Sequence, residues 1–163
     1  SQRAHFKLAR RELGLTKAGA EAHWARKSRP SLTYNRRTGG IYGGATLLAL
    51  AGLVAEGPVT AGDRVGIYSY GSGSCAEFYS VTLADTAREM VTRAGIGTLL
   101  DQRRRLTIAE YDACERTIAA ATCARDYTPP SDVVPDLTAS HYDGRGRLMF
   151  RGIRDYYREY AWS

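Results

Sequence analysis

Apolar positions recur at helical spacing from Ala4 to about Arg26, with Phe6, Leu8, Leu13 and Leu15 set among basic residues. Gly14 to Thr16 interrupts that pattern, so two short helices are predicted rather than one. Ser28 to Tyr34, which contains Pro30, reads as a connector. From Ala45 to Ala55 the chain is apolar on nearly all sides and stops at Gly57-Pro58, the pattern of a helix buried all round. β-forming residues then take over: Arg64 to Tyr70 and Glu77 to Leu83 read as strands, joined through Gly71-Ser72-Gly73-Ser74 as a hairpin. Thr107-Ile108-Ala109-Glu110 has the form of a capping box opening a helix that runs to about Arg125. Pro129, Pro130 and Pro135 mark a loop, and Arg147 to Tyr160 reads as a last strand passing into an aromatic, charged tail. The order of elements predicts a layered α/β domain over residues 1–163. A helix apolar on every side needs more cover than the other elements offer, so a further half or a partner is expected.

Charge sharpens this picture by its placement. Residues 1–37 hold ten Lys or Arg against Glu12 and Glu21, a net of +8, whereas the rest of the 163-residue chain nets −2. A localised positive field favours an anionic partner, and nucleic acid, coenzyme A or a phosphopantetheine arm on an acidic carrier protein all qualify. No aromatic-basic motif or groove-reading module supports nucleic acid, so none is expected as a partner. The longest apolar run is too short to span a bilayer, and no apolar region with a small-residue cleavage site follows the basic start, so neither membrane nor signal peptide is expected. Cys75, Cys114 and Cys123 are odd in number and lack metal-ligand spacing, which argues against a disulfide framework or metal site and for a reducing cytoplasm.

The candidate chemistry gathers where glycines do. Gly39-Gly40-Ile41-Tyr42-Gly43-Gly44 precedes the apolar helix, and Ser69-Tyr70-Gly71-Ser72-Gly73 follows the first strand. Glycines at such junctions let backbone N–H groups approach a ligand, and a Gly-Ser turn can offer an amide and a hydroxyl to an acyl oxygen. On spacing alone, most such segments are only turns.

The run GDRVGIYSYGSGSCAEFYSVTL resembles the segment of 3-hydroxy-3-methylglutaryl-CoA (HMG-CoA) synthases in which a strand delivers a Ser-Tyr-Gly-Ser-Gly loop to the substrate. Upstream, YNRRTGGIYGGATLLALAGLV is similar to the family's Gly-Asn-(Ile/Thr)-Tyr loop and buried helix. Downstream, RRRLTIAEYDACER and GRLMFRGIRDYYREYAW resemble the polyketide β-branching members, and the likeness runs from about Ala4 to Trp162. The resemblance implies the C-terminal half of a thiolase fold, in a homodimeric acyltransferase that adds an acetyl carbanion equivalent to a β-ketoacyl thioester. A Cys carries the acetyl group, a Glu serves as general acid/base and a His polarises the acceptor.

Carried over by position, the resemblance assigns no catalytic residue to this chain. The family's Cys and Glu belong to its N-terminal half. Its catalytic His lies in a His-x-Pro-Phe motif expected shortly before AHFKLARREL, and His5 matches a later, non-catalytic His. The resemblance implies substrate contacts at Ser72, Ser69, Gly71, Gly40 and Tyr42. Gly40 stands where the family has an Asn whose amide helps hold the acyl oxygen, and Asn35 is five residues too early to replace it. The resemblance places Lys7, Arg10 and Arg11 at positions that meet coenzyme A phosphates or the carrier protein, and Arg3 lies one turn earlier on the same helix face by its spacing. No permanently bound cofactor is implied; a coenzyme A or phosphopantetheine thioester enters as substrate. Cys75 reads as a small packed residue, His23 and His141 as isolated surface or packing residues, and Tyr156, Tyr157 and Trp162 as anchors of the C-terminus. Two functions compete: part of an HMG-synthase-like enzyme completed by a Cys- and His-bearing half, or a non-catalytic thiolase-like module that docks an acyl carrier protein.

Overall fold

The computed structural model describes residues 2–163, except the side chain of Ser72. The chain gathers into two compact units, one ending at Arg103 and one beginning at Arg104. In the first, α1 (Gln2–Glu12) and α2 (Lys17–Lys27) are the two predicted short helices. Gly14 turns the chain at φ 63°, and the Thr16 hydroxyl accepts the Gly19 amide at 3.1 Å to cap α2. Small residues at the crossing, Ala9 on α1 and Ala20 on α2, are buried with Trp24, whose ring meets Phe6 edge-on at 6.4 Å.

A 3-10 turn (Arg29–Leu32) and the short α3 (Asn35–Thr38) lead to α4 (Gly44–Glu56), which ends at Gly57 as predicted. At Gly52 the helix lies directly on that turn: an added Cβ would sit 3.1 Å from the Ser31 carbonyl oxygen. All-round burial of α4 is not what the structure shows. Only Gly52, Leu53 and Val54 are buried, and Leu47 is 65% exposed. Composition indicates what a helix requires, while its neighbours decide what it receives, and here the turn, β1 (Arg64–Tyr70) and α5 (Ala87–Ala94) cover part of its circumference.

β1 pairs antiparallel with β2 (Ala76–Thr82), from Arg64 opposite Thr82 to Tyr70 opposite Ala76. Alternation buries Ile67 and leaves Tyr68, Tyr70 and Phe78 exposed together on the opposite face. Residues 84–106, which carried no strong pattern, hold α5 and α6 (Ile96–Asp101), separated by left-handed Gly95. Arg88 donates to the carbonyls of Ala55, Gly57 and Val59 at 2.9, 3.3 and 2.8 Å, a cation at the end of α4 where carbonyls lack helical partners.

In the second unit, α7 (Ile108–Ala121) opens with the predicted capping box. It stops four residues before Arg125, because Thr122 is extended and Cys123 left-handed, which turns the chain so that Tyr127 can exchange backbone hydrogen bonds with Ile153. The proline loop buries Val134 and contains a short unforeseen helix, α8 (Leu137–His141). The tail is itself a strand: β3 (Leu148–Arg154) pairs antiparallel with β4 (Tyr157–Trp162), with a bulge between Phe150 and Gly152. Asp155 and Tyr156, both at positive φ, form the two-residue turn. The expected anchoring by aromatic packing is also corrected, since Tyr156, Tyr157 and Trp162 are exposed and β4 is held by its ladder.

Gly52→Ala is expected to destabilise the first unit by about 1–3 kcal/mol, because the facing atom is a backbone oxygen; chemical denaturation measures it, and an unchanged midpoint would show that α4 is not seated so closely. Glu110 accepts the Thr107 amide and hydroxyl, and these bonds, aided by Arg104, hold its carboxyl below the usual carboxylate range. A depressed folded pKa contributes stability that is full above the unfolded value, about 4.3, and lost as pH falls through the lower folded value. Thr107→Ala is therefore expected to lower the melting temperature at neutral pH, with the difference shrinking below about pH 4; a constant difference would contradict the linkage.

Candidate functional site

The two glycine-rich segments are brought to one region by α4 and β1. The loop 39–43 leads straight into α4, and in the first turn of that helix the Thr46 hydroxyl approaches Ser69 Oγ at 3.5 Å, at the far end of β1. Asn35 Nδ2 donates to the Ala45 carbonyl at 2.9 Å, closing the base of the loop, while its buried Oδ1 has no partner among the described residues. Within the loop, Gly39 has φ 75°, Gly40 has open space where a side chain would project, and Tyr42 is 97% exposed with φ 51°. Asn35 is thus committed to holding the loop, and its amide does not take the place of the Asn missing at position 40.

Across the hairpin turn, Gly71 gives its N–H to the Cys75 carbonyl at 2.8 Å, and Gly73 turns the chain at φ 78°. The Gly71 amide closes the turn, so an acyl oxygen there would need another donor. The Ser72 side chain, assigned to the substrate by resemblance, lies outside the described part of the structure. Cys75 is exposed rather than packed, at the close of the turn just before β2.

The basic helix forms the clearest grouping. Arg3, Lys7, Arg10 and Arg11 line one open cavity of about 580 Å³ together with Phe6 and Leu15. Arg11 also pairs with Glu12 at 2.5 Å, and among the described residues Arg3, Lys7 and Arg10 form no ion pair. A concave surface with four cations and an apolar wall suits an anionic group on a partly apolar stem.

Sequence reasoning missed a histidine pair. His23 is not isolated: its Nδ1 lies 2.9 Å from His5 Nε2. No local signal announces two residues that meet only when α1 packs on α2. His141 contacts its neighbour Ser140 at 2.7 Å. Among the described residues no cluster of three or more His, Cys, Asp or Glu is placed to hold a metal ion, and no helix is long and apolar enough to cross a membrane.

A family model described as hydroxymethylglutaryl-coenzyme A synthase, C terminal, matches residues 8–157. The chain is 30% identical over 160 residues to the polyketide biosynthesis 3-hydroxy-3-methylglutaryl-ACP synthase PksG of Bacillus subtilis, covering 98% of this chain and 38% of that protein. It is 39% identical over 84 residues to a hydroxymethylglutaryl-CoA synthase of Enterococcus faecalis, which is 51% of this chain and 22% of that one. Among solved structures, the HMG synthase of the curacin biosynthetic pathway, crystallised with holo donor-ACP, superposes with a TM-score of 0.92 at 31% identity over 99% of this chain and 40% of its own. MvaS in complex with 3-hydroxy-3-methylglutaryl coenzyme A gives 0.73 at 31% identity over 98% of this chain and 38% of its own. The fold is therefore the thiolase-like fold of HMG synthases, of which the chain spans about 40% of the curacin structure's length. By family model and fold together, the chain belongs to the hydroxymethylglutaryl-coenzyme A synthase family, in its C-terminal region.

Proposed function

We propose that this chain is part of an HMG-synthase-like acyltransferase that condenses an acetyl group with a β-ketoacyl thioester on an acyl carrier protein, in polyketide β-branching. The observation that carries the reading is the four-cation cavity on α1, in a fold that superposes better on synthases of polyketide pathways than on MvaS. A phosphopantetheine arm has the matching chemistry: a phosphate for Arg3, Lys7, Arg10 and Arg11, and an organic stem for Phe6 and Leu15. Coenzyme A presents the same pantetheine phosphate, and the acidic carrier surface around that phosphate is what favours the carrier protein here.

The catalytic Cys, Glu and His come, in this reading, from an N-terminal half or a second chain. The surface left uncovered fits that arrangement. Exposed Leu47 on α4 and exposed Tyr68, Tyr70 and Phe78 on the hairpin are apolar groups that a larger core would cover. A sheet of only two strands also leaves edges able to pair. The chain's own share is to hold the pantetheine phosphate and to shape the acyl site with Ser72, Ser69, Gly71, Gly40 and Tyr42. In the condensation, a base removes a proton from the methyl of the cysteine-bound acetyl thioester, the resulting carbanion equivalent forms a C–C bond to the β-keto carbon as its C=O π bond opens, the alkoxide takes up a proton, and water cleaves the cysteinyl thioester. The assembled enzyme is a homodimer of the cytoplasm, where the three free thiols stay reduced.

A second reading has its own observation. Gly40 offers no side-chain amide and Asn35 is already engaged, so one acyl-oxygen donor is absent, and loss of such a donor typically lowers turnover about 100- to 1000-fold. A docking module without catalysis would tolerate that loss.

Both readings require the cationic cavity, which makes it the first target. Lys7→Glu combined with Arg10→Glu is expected to weaken carrier-protein binding at least about tenfold, or 1.4 kcal/mol, and to flatten its salt dependence. Titration calorimetry at two ionic strengths checks both effects, with Arg145→Glu combined with Arg151→Glu in the second unit as a charge-matched control. Undiminished affinity in the double variant would remove α1 from the docking surface.

A further inference from the structure

The contact between α1 and α2 includes two imidazoles. His5 Nε2 lies 2.9 Å from His23 Nδ1, and His5 Nδ1 lies 3.3 Å from Ser28 Oγ. The imidazoles stack at 5.1 Å and 29°, and His5 meets the edge of buried Trp24 at 5.1 Å and 68°. A hydrogen bond between two ring nitrogens needs one donor and one acceptor. The pair accommodates one proton between those nitrogens; a second removes the acceptor and sets two cations in contact.

We infer that the His5–His23 pair is a pH-sensitive latch that holds α1 against α2 and loosens when both rings are protonated. Because α1 carries Arg3, Lys7, Arg10 and Arg11, the latch would govern how that cationic surface is presented. This regulatory consequence rests on the docking function proposed above, whereas the latch itself does not.

The surrounding charges give a second proton no support. On α2, Lys27 follows His23 by one turn, and Glu21 lies two residues away, off its face. The turn after α2 places Arg29 beside Ser28. The cleft that His23 lines also carries Arg26, Lys27, Arg64 and one acid, Asp63, whose carboxylate already accepts the amide and hydroxyl of Thr60. On α1 itself, the acid Glu12 pairs with Arg11 at the far end of the helix. Burial, and after it the charge of His23, lowers the His5 pKa below its ordinary value. A base with a lowered folded pKa binds protons more readily when unfolded, so its stabilising contact is intact above the ordinary value of about 6.5 and is lost as pH falls below it.

Hydrogen exchange read by mass spectrometry on the intact protein, without carrier protein, tests the latch directly. Rates are corrected for intrinsic pH dependence and referenced to the β1–β2 hairpin. Between about pH 7.5 and pH 5, protection of α1 and the facing side of α2 is expected to fall at least about tenfold. His5→Gln and His23→Gln, which keep hydrogen-bonding capacity without titrating, are expected to remove that pH dependence. Unchanged protection across the range, or an equal loss in the two variants, would overturn the latch. Should either variant not fold, imidazole NMR of the unsubstituted protein decides: uptake of the two protons in coupled steps, the second below the ordinary range, supports it, and independent titration of both rings near about 6.5 overturns it. Failure here would leave carrier docking intact, since the docking test reads binding and not α1–α2 packing.

Discussion

Gly52 lets the backbone of α4 rest on the carbonyls of Pro30 and Ser31, and the candidate acyl site is hung from that contact. With the helix seated there, its first turn is placed beside the end of β1, where Thr46 reaches Ser69, and its entry loop is closed by Asn35. Its far end is held by Arg88, which spans three carbonyls. A side chain at position 52 would meet backbone rather than a flexible tip, so the seat has little freedom to adjust. This explains how two short glycine-rich segments, themselves only turns, are fixed in relation to one another. They are carried to the same end of a buried interface by the helix and the strand that form it.

The same helix shows what the chain leaves undone. Its composition is that of a core element, yet only part of its surface is covered, and the hairpin beside it presents aromatic side chains and unpaired edges. Apolar surface of this kind is favourable to bury and awkward to leave in water. An enzyme whose acyl loop lies in one part and whose nucleophile lies in another has a physical reason for such a surface, because assembling the core and assembling the active site then become one event. The cationic cavity on α1 is different in character. It is open, with four cations set against the apolar side chains of Phe6 and Leu15.

Much of this was legible in the sequence where local chemistry decides the outcome. The glycine-proline stop of α4, the capping box of α7, the break between α1 and α2 and the first hairpin each depend on residues adjacent in the chain. The grouping of Arg3, Lys7, Arg10 and Arg11 was readable for the same reason, since helical spacing alone puts them together. What escaped depends on distant or atypical partners. β4 was taken for a tail because its turn is made by Asp155 and Tyr156, which adopt positive φ without a glycine to announce it. The partial exposure of α4 follows from its surroundings rather than its composition. The pairing of His5 with His23 spans eighteen positions and exists only once two helices cross.

The most direct measurement is intact-protein mass spectrometry after incubation with acetyl-carrier protein, and in parallel with acetyl-CoA. An assembly that is an HMG-synthase-like enzyme takes up one acetyl group on a cysteine outside residues 1–163, and takes it up faster from the carrier protein. An assembly that never acetylates contradicts the enzyme reading and leaves the carrier-docking module.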